Sequence, residues 1–252
     1  GAIFNKISYK NLMEEWLSRA EMILGAAQLK KLRSARVLVV GLGGVGAYAA
    51  ELICRAGVGS MTIVDGDKIQ PSNRNRQLLA LKSTEGLSKA GIMGHRLLDI
   101  NPDLKLTIVN QYIKDEKMIS VLNEGFDYVV DAIDTLSPKI FLIYHSLQMR
   151  YPVVSSMGAG GKFDPLKIKI ADISETTDCN LARILRKRLH KLGVREGFTA
   201  VYSPETIDKT KIVPTTGEQN KASVVGTISY MPAAFGMACA SVVIRDLAVI
   251  PR

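Results

Sequence analysis

The stretch Arg36-Val-Leu-Val-Val40, Gly41-Leu-Gly43-Gly44-Val-Gly46 and, after a helical run, Met61-Thr-Ile-Val-Asp65-Gly-Asp67 decides the fold. An apolar run of strand length that passes straight into glycines reads as a buried parallel strand feeding a tight turn. Glycines let the backbone turn there and let a ligand come close. The small apolar residues from Val45 to Ala56 form a helix, which Gly57-Val-Gly59 ends. The start of that helix offers unpaired N–H groups and a partial positive charge, the physical requirements of a phosphate site. Asp65 closes the second strand at the spacing of a ribose-hydroxyl acceptor. A nucleotide site is therefore expected at residues 41–67, although the glycines alone do not say which nucleotide or which reaction.

Downstream, the same alternation continues. Pro71-Ser-Asn73-Arg74-Asn75-Arg76-Gln77 is a polar turn dense in side-chain donors. A helix is expected from Lys89 to Ile100, stopped by Asn101-Pro102, then a strand from Leu104 to Asn110 and a short helix from Asp115 to Asn123. Tyr128 to Asp134 reads as a strand ending in acid, Pro138 to Met149 as a helix, and Pro152 to Ser156 as a strand. Strand–helix alternation of this kind predicts an α/β fold: a Rossmann-like, doubly wound, mostly parallel sheet with helices on both faces.

Upstream, residues 11–33 read as helical, with Gly25 a break. Beyond Ser156 the pattern changes. Gly158-Ala-Gly160-Gly161 is a glycine cluster, and Lys167-Ile-Lys-Ile alternates like a half-exposed strand. Asn180 to Leu192 is an amphipathic helix with Arg183, Arg186, Lys187, His190 and Lys191 opposite its apolar stripe. Residues 203–223, with Pro204, Pro214 and Gly217, read as a strand-poor mobile loop, followed by a strand at 224–229 and a helix at 232–248. One domain, 1–252, is expected, in three parts: a helical amino-terminal arm (1–35), a nucleotide-binding core (36–156) and a substrate-side extension of antiparallel and helical character (157–252).

Composition narrows the function classes. The 252 residues are 47% hydrophobic and 23% charged, an ordinary globular balance, and no apolar run reaches membrane-spanning length. The amino terminus lacks a signal-peptide pattern, so a cytoplasmic protein without membrane partners is expected. Cys54, Cys179 and Cys239 stand far apart, which argues against a disulfide framework and against a structural zinc built on Cys-x-x-Cys pairs. Cys54 and Cys239 lie in apolar helical runs and read as core thiols, whereas Cys179 falls in a loop. His95, His145 and His190 form no constellation. The net charge of +9 suits either solubility or an acidic partner such as nucleic acid.

The chemistry is read after the glycines. A Walker A loop is excluded, since no Gly-x4-Gly-Lys-Ser/Thr occurs. Asn73-x-x-Arg76-Gln77 follows the ribose acid, Lys89 stands thirteen residues beyond Arg76, and Asp134 ends the fourth strand. Two fixed cations and an acid converging on one nucleotide suit a triphosphate with magnesium. A hydride-transfer enzyme, the first alternative raised by Gly-x-Gly-x-x-Gly, needs no such cluster around its diphosphate.

As a set, Gly41-Leu-Gly-Gly-Val-Gly46, Asp65-Gly-Asp67, Asn73-Arg-Asn-Arg76-Gln77, Gly86-Leu-Ser-Lys89-Ala, Ile100-Asn-Pro102 and Asp131-Ala-Ile-Asp134 resemble the E1-like adenylating family. The resemblance implies ATP and Mg²⁺. Gly41, Gly43, Gly44 and Gly46 would face ATP, Asp65 would hold the ribose, and Asn73, Arg76 and Lys89 would bind phosphates. Asp67 and Gln77 complete the nucleotide-binding set, and Asp134 would hold Mg²⁺. Leu17-Ser-Arg19 falls where that family often places an arginine finger reaching into a partner subunit, which implies a homodimer and a catalytic set of Arg19, Arg76, Lys89 and Asp134.

The carboxyl-terminal part is similar to the tRNA threonylcarbamoyladenosine dehydratase branch. The matching pieces are Ser155 to Asp172, the Asn180–Leu192 helix, Tyr202-Ser-Pro-Glu205 and Met231-Pro-Ala-Ala-Phe-Gly236. That branch implies a ligase-type tRNA modification. The carboxylate of the modified adenosine at tRNA position 37 is adenylated, and a side-chain nitrogen then closes a ring with loss of AMP. Arg183, Arg186, Lys187 and Lys191 become candidates for binding tRNA phosphates. A sulfur-relay protein partner is left open. The alternatives are an activator of a ubiquitin-like or sulfur-carrier protein, a nicotinamide-dependent oxidoreductase, and a non-catalytic adaptor. The absence of paired Cys-x-x-Cys motifs weighs against the first, and the intact Asn73, Arg76, Lys89 and Asp134 set against the last.

Overall fold

The computed structural model describes residues 15–113, 115–207, 210, 212–214 and 223–250. The helical arm is two helices, α1 (Ser18–Leu24) and α2 (Ala26–Ser34), broken at Gly25, whose φ of 85° few other residues adopt. Residues 11–14 of the expected helix lie outside the described residues. There follow β1 (Arg36–Val40), α3 (Gly46–Arg55), β2 (Ser60–Val64), α4 (Lys89–Ile100), β3 (Lys105–Val109), α5 (Glu116–Leu122), β4 (Tyr128–Asp131), α6 (Leu136–Gln148) and β5 (Val153–Ser156). The last third contributes β6 (Lys169–Asp172), α7 (Asn180–His190), β7 (Thr199–Tyr202), β8 (Ile212–Pro214), β9 (Ser223–Val225) and α8 (Tyr230–Leu247).

One seven-stranded sheet has the order β3-β2-β1-β4-β5-β7-β6. Every neighbouring pair is parallel except β6 with β7. Alternation along β1 shows why its sequence is apolar throughout. Val37 and Val39 face a core built with Leu29 and Leu32 of α2, Ile53 of α3, Met93 of α4 and Phe235 of α8. Leu38 and Val40 face a second core with Met118 of α5, Leu142 of α6, and Leu185 and Leu189 of α7. A strand covered on both faces has no polar side to show. Cys54 and Cys239 sit in the first core, and burial pushes both thiols up to about 12, as inert core thiols require.

The differences from expectation have physical causes. The strand expected to run to Asp134 stops at Asp131, whose side chain accepts from Ile133 N at 3.1 Å and turns the chain. The strand expected at 167–170 starts at Lys169, because Asp164-Pro165 opens a short 3-10 turn; the Asp164 carboxylate accepts from Leu166 N. β7 was not expected. It is four residues long, yet it lies parallel to β5 and pairs with β6, so the last third completes the main sheet. The loop expected at 203–223 is not without strands: Ile212–Pro214 pairs with Ser223–Val225 in a two-stranded ladder. The strand expected at 224–229 reaches only Val225. Residues 208, 209, 211 and 215–222 of that region lie outside the described residues.

Candidate active site

The strand order reverses between β1 and β4, and in such sheets ligands bind where the carboxyl ends of the strands diverge. The glycine turn lies there. Gly41 has φ 91°, and a Cβ on it would stand 2.6 Å from Ala132 O of the turn after β4. A Cβ on Gly46 would run into Gly41 O, and one on Gly44 would stand 2.8 Å from Pro232 Cβ in the first turn of α8. Those three glycines are required by packing. A Cβ on Gly43 would meet only Gln77 Nε2, at an ordinary contact distance of 3.8 Å, so packing leaves this glycine the most open of the four. Behind it α3 begins without a capping side chain or an acidic residue in its first turn; Ala47 N donates to Gly43 O at 3.3 Å, and the other N–H groups of that start are left for an anion.

Asp65 follows β2 and is held by the turn itself. Leu42 N donates to its Oδ2 at 2.6 Å and Asp67 N to its Oδ1 at 2.7 Å. A carboxylate has about four acceptor positions, so roughly two remain for ribose hydroxyls. Burial raises its proton affinity above the usual aspartate value, and the Lys89 ammonium partly offsets this. Lys89 opens α4, after Ser88 has capped it by accepting from Gly91 N. Its side chain is only 6% exposed, and its Nζ donates to Asp67 Oδ2 at 2.8 Å. Tyr112, just after β3, donates its hydroxyl to Asp67 Oδ1. That bond, with burial and the negative charges of Asp67, Asp65 and Asp134, pushes the phenol up to about 12. Asp65, Asp67, Lys89, Tyr112 and Asp134 therefore share one electrostatic neighbourhood.

The polar turn packs on the glycine turn: Arg76 O lies 3.4 Å from where a Gly44 Cβ would be. Its side chains are partly committed. Asn73 Oδ1 accepts from Gln70 N at 3.0 Å, and Arg76 Nη1 donates to Ser72 O at 2.9 Å and Asn75 Oδ1 at 2.8 Å. Gln77 Oε1 is buried with no hydrogen-bond partner among the described residues, beside the open face of Gly43. An uncapped helix start, a buried ammonium and a ribose acceptor fit a nucleoside polyphosphate, and the orphaned Gln77 oxygen, an acceptor, suits a donor on its sugar or base. Asp134, by contrast, is exposed at the end of the turn after β4. Among the described residues no three His, Cys, Asp or Glu side chains could together hold a metal. Mg²⁺ commonly needs only one or two carboxylates, completing its shell with phosphate oxygens and water, and Asp134 fits that role.

Asp131 is structural, and Lys139 is the residue that sequence reasoning missed beside it. Both are fully buried and pair at 2.7 Å. Tyr112 was missed as well, though any residue just after β3 must lie beside Asp65 once the sheet is parallel.

Other candidates lie elsewhere. Leu17, just before Arg19, packs on Gly57 beyond the far end of α3, at the edge of the sheet opposite the glycine turn. A hollow of about 180 Å³ at that edge is lined by Trp16, Gly57, Gly59 and Lys105, among others. Arg19 therefore does not meet the site of its own chain. On α7 and just beyond it, Arg183, Lys187 and Lys191 are exposed, as are Arg188 and Arg195, which the sequence reading left out. Arg186 is turned inward: its Nη1 donates to Thr176 O at 2.8 Å and to Thr176 Oγ1.

Comparison with known proteins decides the family. The model of the ThiF family matches residues 17–250, almost everything described above. The chain belongs to the ThiF family. Among ThiF relatives, the tRNA threonylcarbamoyladenosine dehydratase of Bacillus subtilis is 40% identical over 75% of this chain and 74% of its own. The enzyme of that name from Escherichia coli is 34% identical over 89% of this chain and 90% of its own. The crystal structure of the Escherichia coli dehydratase in complex with ATP superposes with a TM-score of 0.84 at 31% identity, covering 92% of this chain and 93% of that one. No helix among the described residues is long and apolar enough to cross a membrane.

Proposed function

We propose that this chain is an ATP-dependent tRNA threonylcarbamoyladenosine dehydratase, acting in the cytoplasm. The observation that carries the reading is the convergence of the open Gly43 face, Asp65, Lys89 and Asp134 at one strand-end crevice. It is supported by the names of relatives that match across most of both chains. ATP enters as a substrate. Asp65 accepts the ribose hydroxyls, the α3 N–H groups and Lys89 take phosphate oxygens, and Gln77 and Arg76 border the same anion. A carboxylate oxygen of the modified adenosine attacks the α-phosphate, the bond to pyrophosphate breaks, and an acyl-adenylate forms. A side-chain nitrogen then attacks the activated carbonyl, loses its proton and expels AMP, so the nucleoside has lost one water. The protein's part is positioning and charge neutralisation. Mg²⁺ held at Asp134 would supply charge neutralisation at the leaving phosphates.

The reading includes a homodimer. Met22 and Ile23 are 86% and 84% exposed beside Arg19, an apolar surface suited to a second copy, from which Arg19 would reach the partner's site. It also includes tRNA binding along α7 through Arg183, Lys187, Arg188 and Lys191, cations with no acid among them on that helix.

The test is incubation of the protein with ATP, Mg²⁺ and tRNA carrying threonylcarbamoyladenosine. Release of AMP and pyrophosphate with a nucleoside lighter by one water is expected. Absence of both overturns the reading, and adenylation of a carrier protein with a Gly-Gly tail would replace it by the carrier-activating alternative.

A further inference from the structure

Beneath Asp134 lies a buried ion pair that the proposed reaction does not use. Lys139 of α6 and Asp131 of β4 are each 0% exposed, with Nζ 2.7 Å from Oδ2. Ser155 of β5 donates to the same Asp131 oxygen at 2.6 Å. The other Asp131 oxygen accepts from Ile133 N at 3.1 Å, and Lys139 Nζ donates to Ile133 O at 3.0 Å. The preceding peptide is fixed too, since Ala132 N donates to Val40 O of β1 at 2.9 Å. Every peptide from Asp131 to Ile133 is thus tethered, and the next residue is Asp134.

Stability alone explains such a pair poorly. Desolvating two charges costs as much as or more than their attraction returns, and apolar residues of like volume often serve as well. What an apolar pair cannot do is hold a carbonyl and an amide of one turn at fixed places. We propose that Lys139 is a positioning residue for the metal-binding end of the site. Reaching back from α6, it locks the 131–134 turn so that Asp134 presents its carboxylate at the crevice. Outer partners of this kind typically change metal affinity by about 10- to 100-fold when removed. The inference rests on the assignment of Mg²⁺ to Asp134.

The experiment measures ATP affinity by calorimetry, in EDTA and at saturating Mg²⁺, for the full chain. The ratio of the two affinities reports the metal end, and the value in EDTA reports the ribose end. The variant Lys139→Met/Asp131→Asn removes both charges together, so that no buried ion is left unpaired. It is expected to bind ATP in EDTA within about twofold of wild type, while the Mg²⁺ enhancement drops by about tenfold or more. Ser155→Ala, a milder change that preserves the ion pair, is expected to lower the enhancement by less and keeps the test open if the double variant does not fold. Asp134→Asn serves as reference and is expected to abolish the enhancement. Undiminished enhancement in the folded double variant overturns the positioning role if Asp134→Asn has lost it; should only Ser155→Ala fold, undiminished enhancement there overturns the tethering of the turn through Asp131 on which that role depends. Retention in Asp134→Asn overturns the metal assignment and the inference with it.

Discussion

Asp65 carries two duties that pull in opposite directions. It accepts two backbone N–H groups and so shapes the glycine turn, and in the proposed reaction its remaining lone pairs take the ribose hydroxyls. Burial raises its pKa, so on acidification it takes up a proton at a higher pH than an ordinary aspartate. ATP affinity is accordingly expected to fall on acidification before free-aspartate pKa values are reached, measurable as dissociation constants from pH 7 downward. Asp65→Ala should weaken ATP binding by roughly 10- to 100-fold, the scale of a lost hydrogen bond to a charged group. Lys89→Ala and Arg76→Ala should abolish pyrophosphate release while the melting temperature stays near wild type. Tyr112 has the opposite pH signature. Its folded-state pKa, raised from 10.0 to about 12, means that its hydrogen bond to Asp67 contributes stability below about pH 10, lost as the pH rises toward 12. Melting curves of wild type and Tyr112→Phe should therefore differ at pH 9 and converge as the pH approaches 12. The places of Asp65 and Lys89 were legible in the sequence because one follows directly on a strand and the other starts a helix, where spacing fixes position, whereas the strand expected to carry Asp134 stops three residues short of it. Tyr112 and Lys139 were not, because their roles depend on which strand lies beside which.

Among the elements, the glycine turn separates packing from binding within one motif. Gly46→Ala would drive a methyl group into the Gly41 carbonyl and is expected to cost several kcal/mol, since backbone cannot yield as a side chain does. Gly43→Ala has room, with Gln77 Nε2 at 3.8 Å, and should leave stability within about 1 kcal/mol while weakening ATP binding. Thermal melts beside calorimetry distinguish the two. On α7, reversing Arg183, Lys187 and Arg188 should weaken tRNA binding and flatten its salt dependence, by about one unit of slope for each phosphate no longer neutralised. Adding Arg186 to that set should destabilise the fold, because its guanidinium ties α7 to Thr176. α4 was read from the sequence to the residue, since Ser88 caps its start and Asn101-Pro102 stops it. β7 escaped because four residues carry no periodicity, and only the pairing partners β5 and β6 make Thr199–Tyr202 a strand.

Across the whole molecule, Leu17, two residues before Arg19, packs on Gly57 just beyond the end of α3, and the glycine turn lies at the start of that helix, so its length stands between them. If Arg19 acts at all, it acts on another copy. Mixing Arg19→Ala with Lys89→Ala subunits should then restore part of the activity that each lacks alone, because one of the two sites in a mixed dimer is intact. A mixture as inactive as its components would remove Arg19 from the catalytic set. α8 has a consequence of another kind. Its Pro232 stands against Gly44, and a Cβ on its Gly236 would lie 2.5 Å from Val45 O, so the last helix braces the start of α3 from behind. The glycine turn leaves the ribosome well before its brace. A growing chain thus carries an unfinished nucleotide pocket until α8 has been made, and ATP can reward folding only from that point on.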